Sequence, residues 1–474
     1  MIADSVDLDL AVFRKYAGLS LPRHVSYPMP SWWHPLEAEA AARMYAESDG
    51  RRPAHDLSLY IHVPFCETLC KFCACNRVIQ RKDAGGAEER TAAYVRALEV
   101  EIRHLGAVLH SPRRLRQIHW GGGTPTYLAA GEIERLHRTT EESFDVVEDA
   151  EISMEIDPRV TDREMLAHLR DLGFNRLSMG VQDFDEQVQR HVRRIQSQEL
   201  VRETVSACRE LGFDSVNFDL IYGMPYQTVD TIRETVEGTI ALAPDRIAYY
   251  HYAQIPEKIA TQRGMDYRRL PDSETKLGMF LVGLQLFQQA GYEFVGLDHF
   301  AKPEEGLTRA RDDGSLQRNF QGMTTGGGLD QLGAGSSAIG HLLGVGFLQN
   351  VKDLDDYLSR GNAGRTVIER GKRFTADDLI RQAVIGQLYC YAEIRPWSIE
   401  EEFGIGFGNY FAREMRILEE LETDGLVRIA PDGRVQATCP LGRVLLRNVA
   451  AVFDAYLSPD AWAKGEESCF SANA

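Results

Sequence analysis

The sequence predicts an α/β fold built on a parallel sheet, with an N-terminal arm and a small, mainly helical C-terminal domain. Three observations carry this. Apolar, strand-like runs recur at 58–63, 117–121, 151–156, 176–181, 215–221 and 246–252, with a further one at 293–297. Helix-period runs separate them, at 91–109, 131–143, 162–172, 198–211, 229–242 and 273–290. Near residue 370 the strand–helix alternation ends. Strands that alternate with helices need right-handed crossovers, and crossovers of that kind join parallel strands.

Taken in order, residues 1–50 form the arm and read as irregular. Within it, L-P-R-H-V-S-Y-P-M-P-S-W-W-H-P (21–35) is dense in proline and aromatics, which suits an extended segment lying over a surface or cleft. Residues 51–350 are taken as the sheet domain with its connector; the glycines of 305–350 mark that connector as irregular. The domain of residues 351–474 is expected to hold helices at 376–391, 410–423 and 441–456. A hairpin turning at Asp432-Gly433 lies among them. Two helices and a hairpin also resemble a winged-helix module. The chain, however, carries a net charge of −17 and no recognition helix dense in Lys and Arg, which argues against nucleic acid and against anionic membrane as partners. No apolar run approaches the ~18 residues of a membrane span. The first residues show no basic segment followed by an apolar one, so no secretion signal is expected and a cytoplasmic location is.

Directly after the first strand comes Y-I-H-V-P-F-C-E-T-L-C-K-F-C-A-C-N, in which Cys66, Cys70 and Cys73 form a C-x3-C-x2-C array and Cys75 follows. Cys208, Cys390, Cys439 and Cys469 are scattered. Thiols crowded in this way bind metal more readily than they pair as disulfides in an intracellular chain. Zinc motifs usually need a second, distant pair of ligands, and none follows. A three-cysteine array instead ligates three corners of a four-iron cluster and leaves one iron open to a small molecule.

C-x3-C-x-F-C after such a strand resembles the radical S-adenosylmethionine (SAM) enzymes. That resemblance implies a partial (βα)6 TIM-like barrel and one [4Fe–4S] cluster on Cys66, Cys70 and Cys73. It also implies SAM on the open iron, cleaved to a 5′-deoxyadenosyl radical. Site residues are expected at the C-terminal ends of the strands, and polar residues do fall there. W-G-G-G-T-P-T-Y follows the second strand, where Gly122, Gly123 and Thr124 let backbone approach a ligand. Glu155 ends the third strand, Gln182 the fourth and Asp219 the fifth, with Arg194 beyond Gln182 and Ala253 after the sixth. Singly each would serve equally well as a satisfied core group. Together they share one rim.

The motifs S-L-Y-I-H-V-P-F-C, H-W-G-G-G-T-P-T-Y, E-I-D-P-R, N-R-L-S-M-G-V-Q-D-F, D-L-I-Y-G-M-P, D-H-F-A and R-N-F-Q-G, in that order, are similar to those of the oxygen-independent coproporphyrinogen III oxidase (dehydrogenase) family. This implies two SAM molecules. Tyr60, Gly122, Glu155, Ala253 and Ile339 would contact the first; Phe72, Gly123, Thr124, Gln182, Arg194 and Asp219 the second. Cys75 and Gln321 would lie at the active centre without binding iron. The implied reaction decarboxylates the ring A and B propionates of coproporphyrinogen III to the vinyls of protoporphyrinogen IX, in haem biosynthesis. A monomer served by a reductant such as flavodoxin or ferredoxin is implied as well. Arg23 and Arg318 are nominated for the substrate carboxylates, because guanidinium forks suit them.

The arm R-H-V-S-Y-P (23–28) departs from the family's R-Y-T-S-Y-P, and T-T-G-G-G-L-D-Q-L-G (324–333) from T-T-Q-G-D-T-D-L-L-G. Two alternatives follow from the same scaffold. One is a SAM-dependent methyltransferase relative, which tends to lack the D-H-F-A and R-N-F-Q-G segments present here. The other is a haem-binding carrier, which commonly loses the Phe72 and Cys75 context that this chain keeps.

Overall fold

In a computed structural model, residues 9–19, 21–53 and 55–457 are described. Cys469 lies outside them. The strands are β1 (His34–Pro35), β2 (Leu57–Val63), β3 (Phe65–Cys66), β4 (Val78–Ile79), β5 (Leu115–Gly122), β6 (Val146–Ile156), β7 (Arg176–Gln182), β8 (Ser215–Tyr222), β9 (Arg246–His251), β10 (Glu293–Val295), β11 (His299–Ala301), β12 (Gln317–Asn319), β13 (Gly322–Thr324), β14 (Asp330–Ala334), β15 (Ile339–Leu342), β16 (Gly346–Asn350), β17 (Ile368–Arg373), β18 (Glu393–Ile394), β19 (Val427–Ile429) and β20 (Val435–Ala437). The six expected strands, β2 and β5 to β9, pair in sequence order and in parallel. Helices Ala87–Val108, Ala130–Ser143, Arg163–Asp171, Gln198–Glu210 and Val229–Leu242 connect them. The sheet extends on both sides, first through β14 parallel to β2 and otherwise through antiparallel pairs, in the order β1-β17-β16-β15-β14-β2-β5-β6-β7-β8-β9-β11-β10. Its two ends do not pair, so the barrel is partial.

Alternation along each strand sets the lumen. On β7, Leu177, Met179 and Val181 are buried, while Arg176, Ser178, Gly180 and Gln182 take the other face. The same period places Gln117 and His119 on β5, Glu151, Ser153 and Glu155 on β6, and Asn217 and Asp219 on β8 toward that lumen. Pairing puts His119 opposite Ser153, Glu155 opposite Ser178 and Gly180 opposite Asp219. At the amino end Glu151 binds Arg176 Nε (2.9 Å) and Gln117 Nε2 (3.0 Å), and Glu305 binds Arg176 (2.6 Å) and Arg246 (2.5 Å). This network floors the barrel, and the site sits above it.

Three stretches differ from the sequence expectation. The arm is not irregular: it carries helices Leu10–Ala17 and Ala38–Arg51. The second is alanine-rich, a strong helix former that the neighbouring prolines and aromatics obscured. The glycine-rich 305–350 is not an irregular connector either. It forms β12 to β16, and β14 lies parallel to β2 with every residue buried. Its glycine serves close pairing: a Cβ on Gly333 would meet the Ile339 carbonyl carbon at 2.7 Å. Strand pairing then runs past residue 350 through β17. Last, the expected 441–456 helix breaks into Leu441–Val444 and Leu446–Ala451, and the 293–297 run is the short antiparallel edge strand β10.

The C-terminal helices Ala376–Tyr391, Pro396–Phe403 and Ala412–Thr423 pack beside the β18-β20-β19 sheet, whose hairpin turns at Gly433 (φ 83°). The arm seals this layer to the barrel. His24 is buried, 2.9 Å from Asp454 Oδ2 and 3.1 Å from the Tyr389 hydroxyl, and Trp33 stacks on Phe347. Among the described residues, no helix is long and apolar enough to cross a membrane.

Candidate active site

The cysteine loop is pinned at its base by the short parallel pair β3 and β4, with Val78 N donating to Pro64 O (2.7 Å) and Gln80 N to Cys66 O (2.9 Å). Further anchors hold it over the carboxyl ends of the strands: Lys71 N to Val192 O (2.9 Å), and Gln262 Nε2 to Phe72 O (3.1 Å). Cys66, Cys70, Cys73 and Cys75 thereby line one cleft with Phe72, Gly122, Gly123, Thr124, Glu155, Gln182, Arg194 and Asp219, enclosing about 1010 Å³ open to solvent. None of these thiols is in a disulfide.

The thiols meet unequal surroundings. Burial pushes Cys66 up to about 11, against the Thr124 hydroxyl 3.5 Å away. Hydrogen bonding from Cys75 lowers Cys73 to about 6, with Arg77 and Arg194 adding to the effect over the opposing burial. Arg194 Nη1 and Arg159 Nη2 each lie 3.8 Å from Cys70 Sγ. Cysteine binds iron as the thiolate, the form toward which Cys73 is shifted. Among the described residues no three His, Cys, Asp or Glu side chains are grouped closely enough to hold a single metal ion. A four-iron cluster presents its corners to thiolates set farther apart, and three sulfurs around one cleft fit that requirement.

Opposite the cysteines the G-G-G-T turn makes a tight cradle. Gly122 N donates to Glu155 Oε2 (3.0 Å), Gly123 N to Val63 O (2.8 Å) and Thr124 N to Phe65 O (2.8 Å). A Cβ on Gly123 would meet Pro64 backbone at 2.6 Å, and Gly122 has φ 115°. Since these N–H groups are committed, a ligand ammonium would meet carbonyl oxygens here. Arg194 is buried; its Nε and Nη2 donate to Gly180 O (3.0 and 2.6 Å), and its Nη1 lies 3.3 Å from Asp157 Oδ2. Gln182 holds φ 68°, a left-handed strain at a non-glycine residue. Burial, then the charge of Glu155, pushes Asp219 up to about 7.

A second cleft opens beside the first and shares Cys75, Gly122, Glu155 and Asp219 with it; Tyr60, Gln321 and Ile339 complete its wall. Tyr60 stacks on His119 (ring centres 6.0 Å apart) and its hydroxyl is 2.9 Å from His62 Nδ1. Burial lowers the His62 pKa. The neutral ring therefore accepts from Tyr60 and donates from Nε2 to Asn76 O (2.9 Å), tying the strand to the cysteine loop.

Of the residues expected at the site, Ala253 stands apart. It lines a third cleft with Arg23 and Arg318, and its carbonyl accepts from Gln262 Nε2 (2.9 Å), the amide that also holds Phe72. Gln262 thus ties the end of β9 to the cysteine loop, and the third cleft adjoins the second through Tyr250, Phe320 and Gln321. Sequence reasoning missed Asp157 and Arg159. Arg159 forks onto Asp157 (2.6 and 2.9 Å) beside Cys70. Burial opposes ionisation of Asp157, yet Arg194 and Arg159 hold its pKa below the usual range. The signal was on the page, in the D-P-R that ends E-I-D-P-R at the mouth of the third strand.

The sequence model of the Radical SAM superfamily matches residues 60–237. The oxygen-independent coproporphyrinogen III oxidase of Salmonella typhimurium is 42% identical over 457 residues, covering 96% of this chain and 97% of that one. The enzyme of the same name from Pseudomonas aeruginosa is 41% identical over 460 residues, with the same coverage. Among solved structures, coproporphyrinogen III oxidase from Escherichia coli, described as a radical SAM enzyme, superposes with a TM-score of 0.86 at 40% identity. That match covers 95% of this chain and all of the other. A cysteine cleft, a glycine cradle and a carboxylate rim on a chain matched end to end at this level place it in one family: the chain belongs to the oxygen-independent coproporphyrinogen III oxidases.

Proposed function

We propose that this chain oxidises coproporphyrinogen III without oxygen in haem biosynthesis, converting the ring A and B propionates to the vinyls of protoporphyrinogen IX. The observation that carries this is the cleft itself, where three thiols meet the glycine cradle and the rim carboxylates on a chain aligned throughout with oxidases of that name. When bound, a [4Fe–4S] cluster and SAM supply the one-electron chemistry that removes hydrogen from substrate.

The chain's own residues bind and orient. Cys66, Cys70 and Cys73 would hold the cluster, with Arg194 and Arg159 set beside Cys70. Two adjoining clefts divided along Gly122, Glu155 and Asp219 suit two SAM molecules. In this reading Phe72, Gly123, Thr124, Gln182, Arg194 and Asp219 face one, and Tyr60, Gly122, Glu155, Ala253 and Ile339 the other. Glu155 and Asp219 would accept hydrogen bonds from ribose hydroxyls, and Asp219, held near neutrality, can also donate. Cys75 and Gln321, on two sides of the second cleft, would face the reacting propionate. That propionate loses a hydrogen atom to the deoxyadenosyl radical, then carbon dioxide and one electron to an external one-electron acceptor, to become a vinyl.

The proposal includes a small reductant such as flavodoxin or ferredoxin, a monomeric enzyme and a cytoplasmic location. The free thiols among the described residues suit a reducing compartment.

The test is an anaerobic assay of reconstituted protein with reductant, SAM and coproporphyrinogen III, followed by mass spectrometry. Loss of two carboxyl groups with 5′-deoxyadenosine formed is the expected result. A methylated product with S-adenosylhomocysteine, or bound haem without SAM cleavage, would overturn it.

A further inference from the structure

The third cleft lies between the arm (Arg23, Val25, Met29) and the end of β12 (Arg318, Phe320), and it opens on the second through shared residues Tyr250, Phe320 and Gln321. Its inner end is an unbalanced charge cluster. Asp298 accepts from Arg23 Nη2, and Arg318 Nη1 lies 3.4 Å from its other oxygen. The side chain of Arg318 is only 7% exposed. His299, 2.7 Å from Asp298, adds no charge, because burial and then Arg318 hold its pKa well below the ordinary value.

Within this group, then, two guanidiniums share one carboxylate. A buried charge without a partner is costly. Arg318 Nε and His251 Nε2, on two residues that line this cleft, are buried with no hydrogen-bond partner. An unmet buried polar atom calls for an explanation, and a missing ligand is one. Val25, Met29 and Phe320 give both sides an apolar lining.

We propose that this cleft binds the carboxylate of a propionate that is not reacting, anchoring the macrocycle here while another propionate faces Cys75 and Gln321. This rests on the coproporphyrinogen reading above and names where that substrate is held. One carboxylate brings the group of Arg23, Arg318 and Asp298 to charge balance and lays its methylenes on the apolar lining.

Binding tests it without turnover. The full-length protein is titrated with coproporphyrin III, the fluorescent, unreactive oxidised form, and with its tetramethyl ester. The native protein should bind the acid at least about tenfold tighter than the ester, the usual weight of a charge-assisted contact. Arg318→Gln should weaken acid binding by about tenfold or more and leave ester binding unchanged, and Arg318→Lys should recover part of the loss. Val25→Glu places a competing carboxylate on the arm wall; it should weaken the acid in the same way without touching Arg318, which covers the case of an Arg318 variant that fails to fold. Unchanged acid affinity in Arg318→Gln and Val25→Glu, or equal affinity of the native protein for acid and ester, overturns the proposal. Failure of the native protein to bind either porphyrin would overturn the coproporphyrinogen reading beneath it.

Discussion

Replacing Asp219 by asparagine should stabilise the protein without SAM at neutral and alkaline pH, and much less in acid. Asp219 faces the lumen from β8, where burial and then the charge of Glu155 raise its carboxyl from 3.8 to about 7. A folded value above the unfolded one means that the native state resists the ionised form. The resulting penalty is absent below about pH 4, grows as pH rises through the interval between the two values, and is complete above the folded value. At about 1.36 kcal/mol per decade it comes to roughly 4 kcal/mol at pH 8 and roughly 2 kcal/mol at pH 5. Asparagine has nearly the same shape and can keep an oxygen toward Asn217 Nδ2, now 2.9 Å away. Any cost of the new amide is independent of pH, so the slope is the readout. Urea denaturation of both proteins at pH 5 and pH 8 measures it. A stability gap equal at the two pH values, or a variant less stable than the native protein at pH 8, would refute the reasoning. The same change should weaken SAM binding by calorimetry, the trade expected where a site residue is held against its preference.

Other substitutions divide structure from chemistry. Cys70→Ser should abolish the brown cluster absorbance after anaerobic reconstitution, whereas Cys75→Ser should keep the absorbance and lose product; loss of colour in the second would reassign the ligands. Gly123→Ala puts a methyl 2.6 Å from Pro64 backbone, beside the cysteine loop. It should cost about 1–3 kcal/mol and reduce cluster loading. Gly131→Ala points into open space at an exposed position of its helix and should be neutral or stabilising by up to about 1 kcal/mol, read as melting temperature. Burial opposes ionisation of Glu305, but Arg246 and Arg176 pull it down to about 2. Its stabilising share is therefore present above about pH 4.5 and lost as pH falls toward 2. Glu305→Gln should remove up to about 3 kcal/mol at pH 7 and flatten acid unfolding across that window.

What was legible in the sequence had a local cause. The six parallel strands fall within a few residues of their expected places, apart from an earlier start to β6, because period-two apolar residues mark them one strand at a time. The rim residues followed from the rule that ligands meet carboxyl ends. What escaped was non-local. Arg23 and Asp298 meet across 275 positions, and nothing near either residue announces the other. β14 reads as D-Q-L-G-A, with too little alternation to mark a strand; only β2 and β15 on its two sides make it one. Arg194 follows from a motif, yet its partner Asp157 sits on another crossover, and the meeting of Arg194 and Arg159 beside Cys70 needs the folded sheet. Ala253 follows a barrel strand, as the motif reading had it, and its tie to the cysteine loop runs through Gln262, a residue no local pattern marks.

Several costly features of this fold lie at the open end of the barrel. The lumen floor is balanced, with Glu151 and Glu305 matched by Arg176 and Arg246. Above it the accounts stay open: Gln182 sits at a positive φ, Asp219 resists its charge, and Arg318 and His251 keep buried donors unmet. A fold selected for stability alone would close these as it closed the floor. Strain persists where surrounding structure holds it in place, and such sites are commonly those that bind or react. The tight backbone around Gly122 and Gly123 and the fully buried outer face of β7 supply that hold. It follows that ligands should relieve these costs cleft by cleft: SAM should raise the melting temperature of native protein more than that of Asp219→Asn, and coproporphyrin should do so for native protein more than for Arg318→Gln. Stabilisation of all three proteins by equal amounts would show that the open end is merely loose, and that its imbalance has no bearing on what it binds.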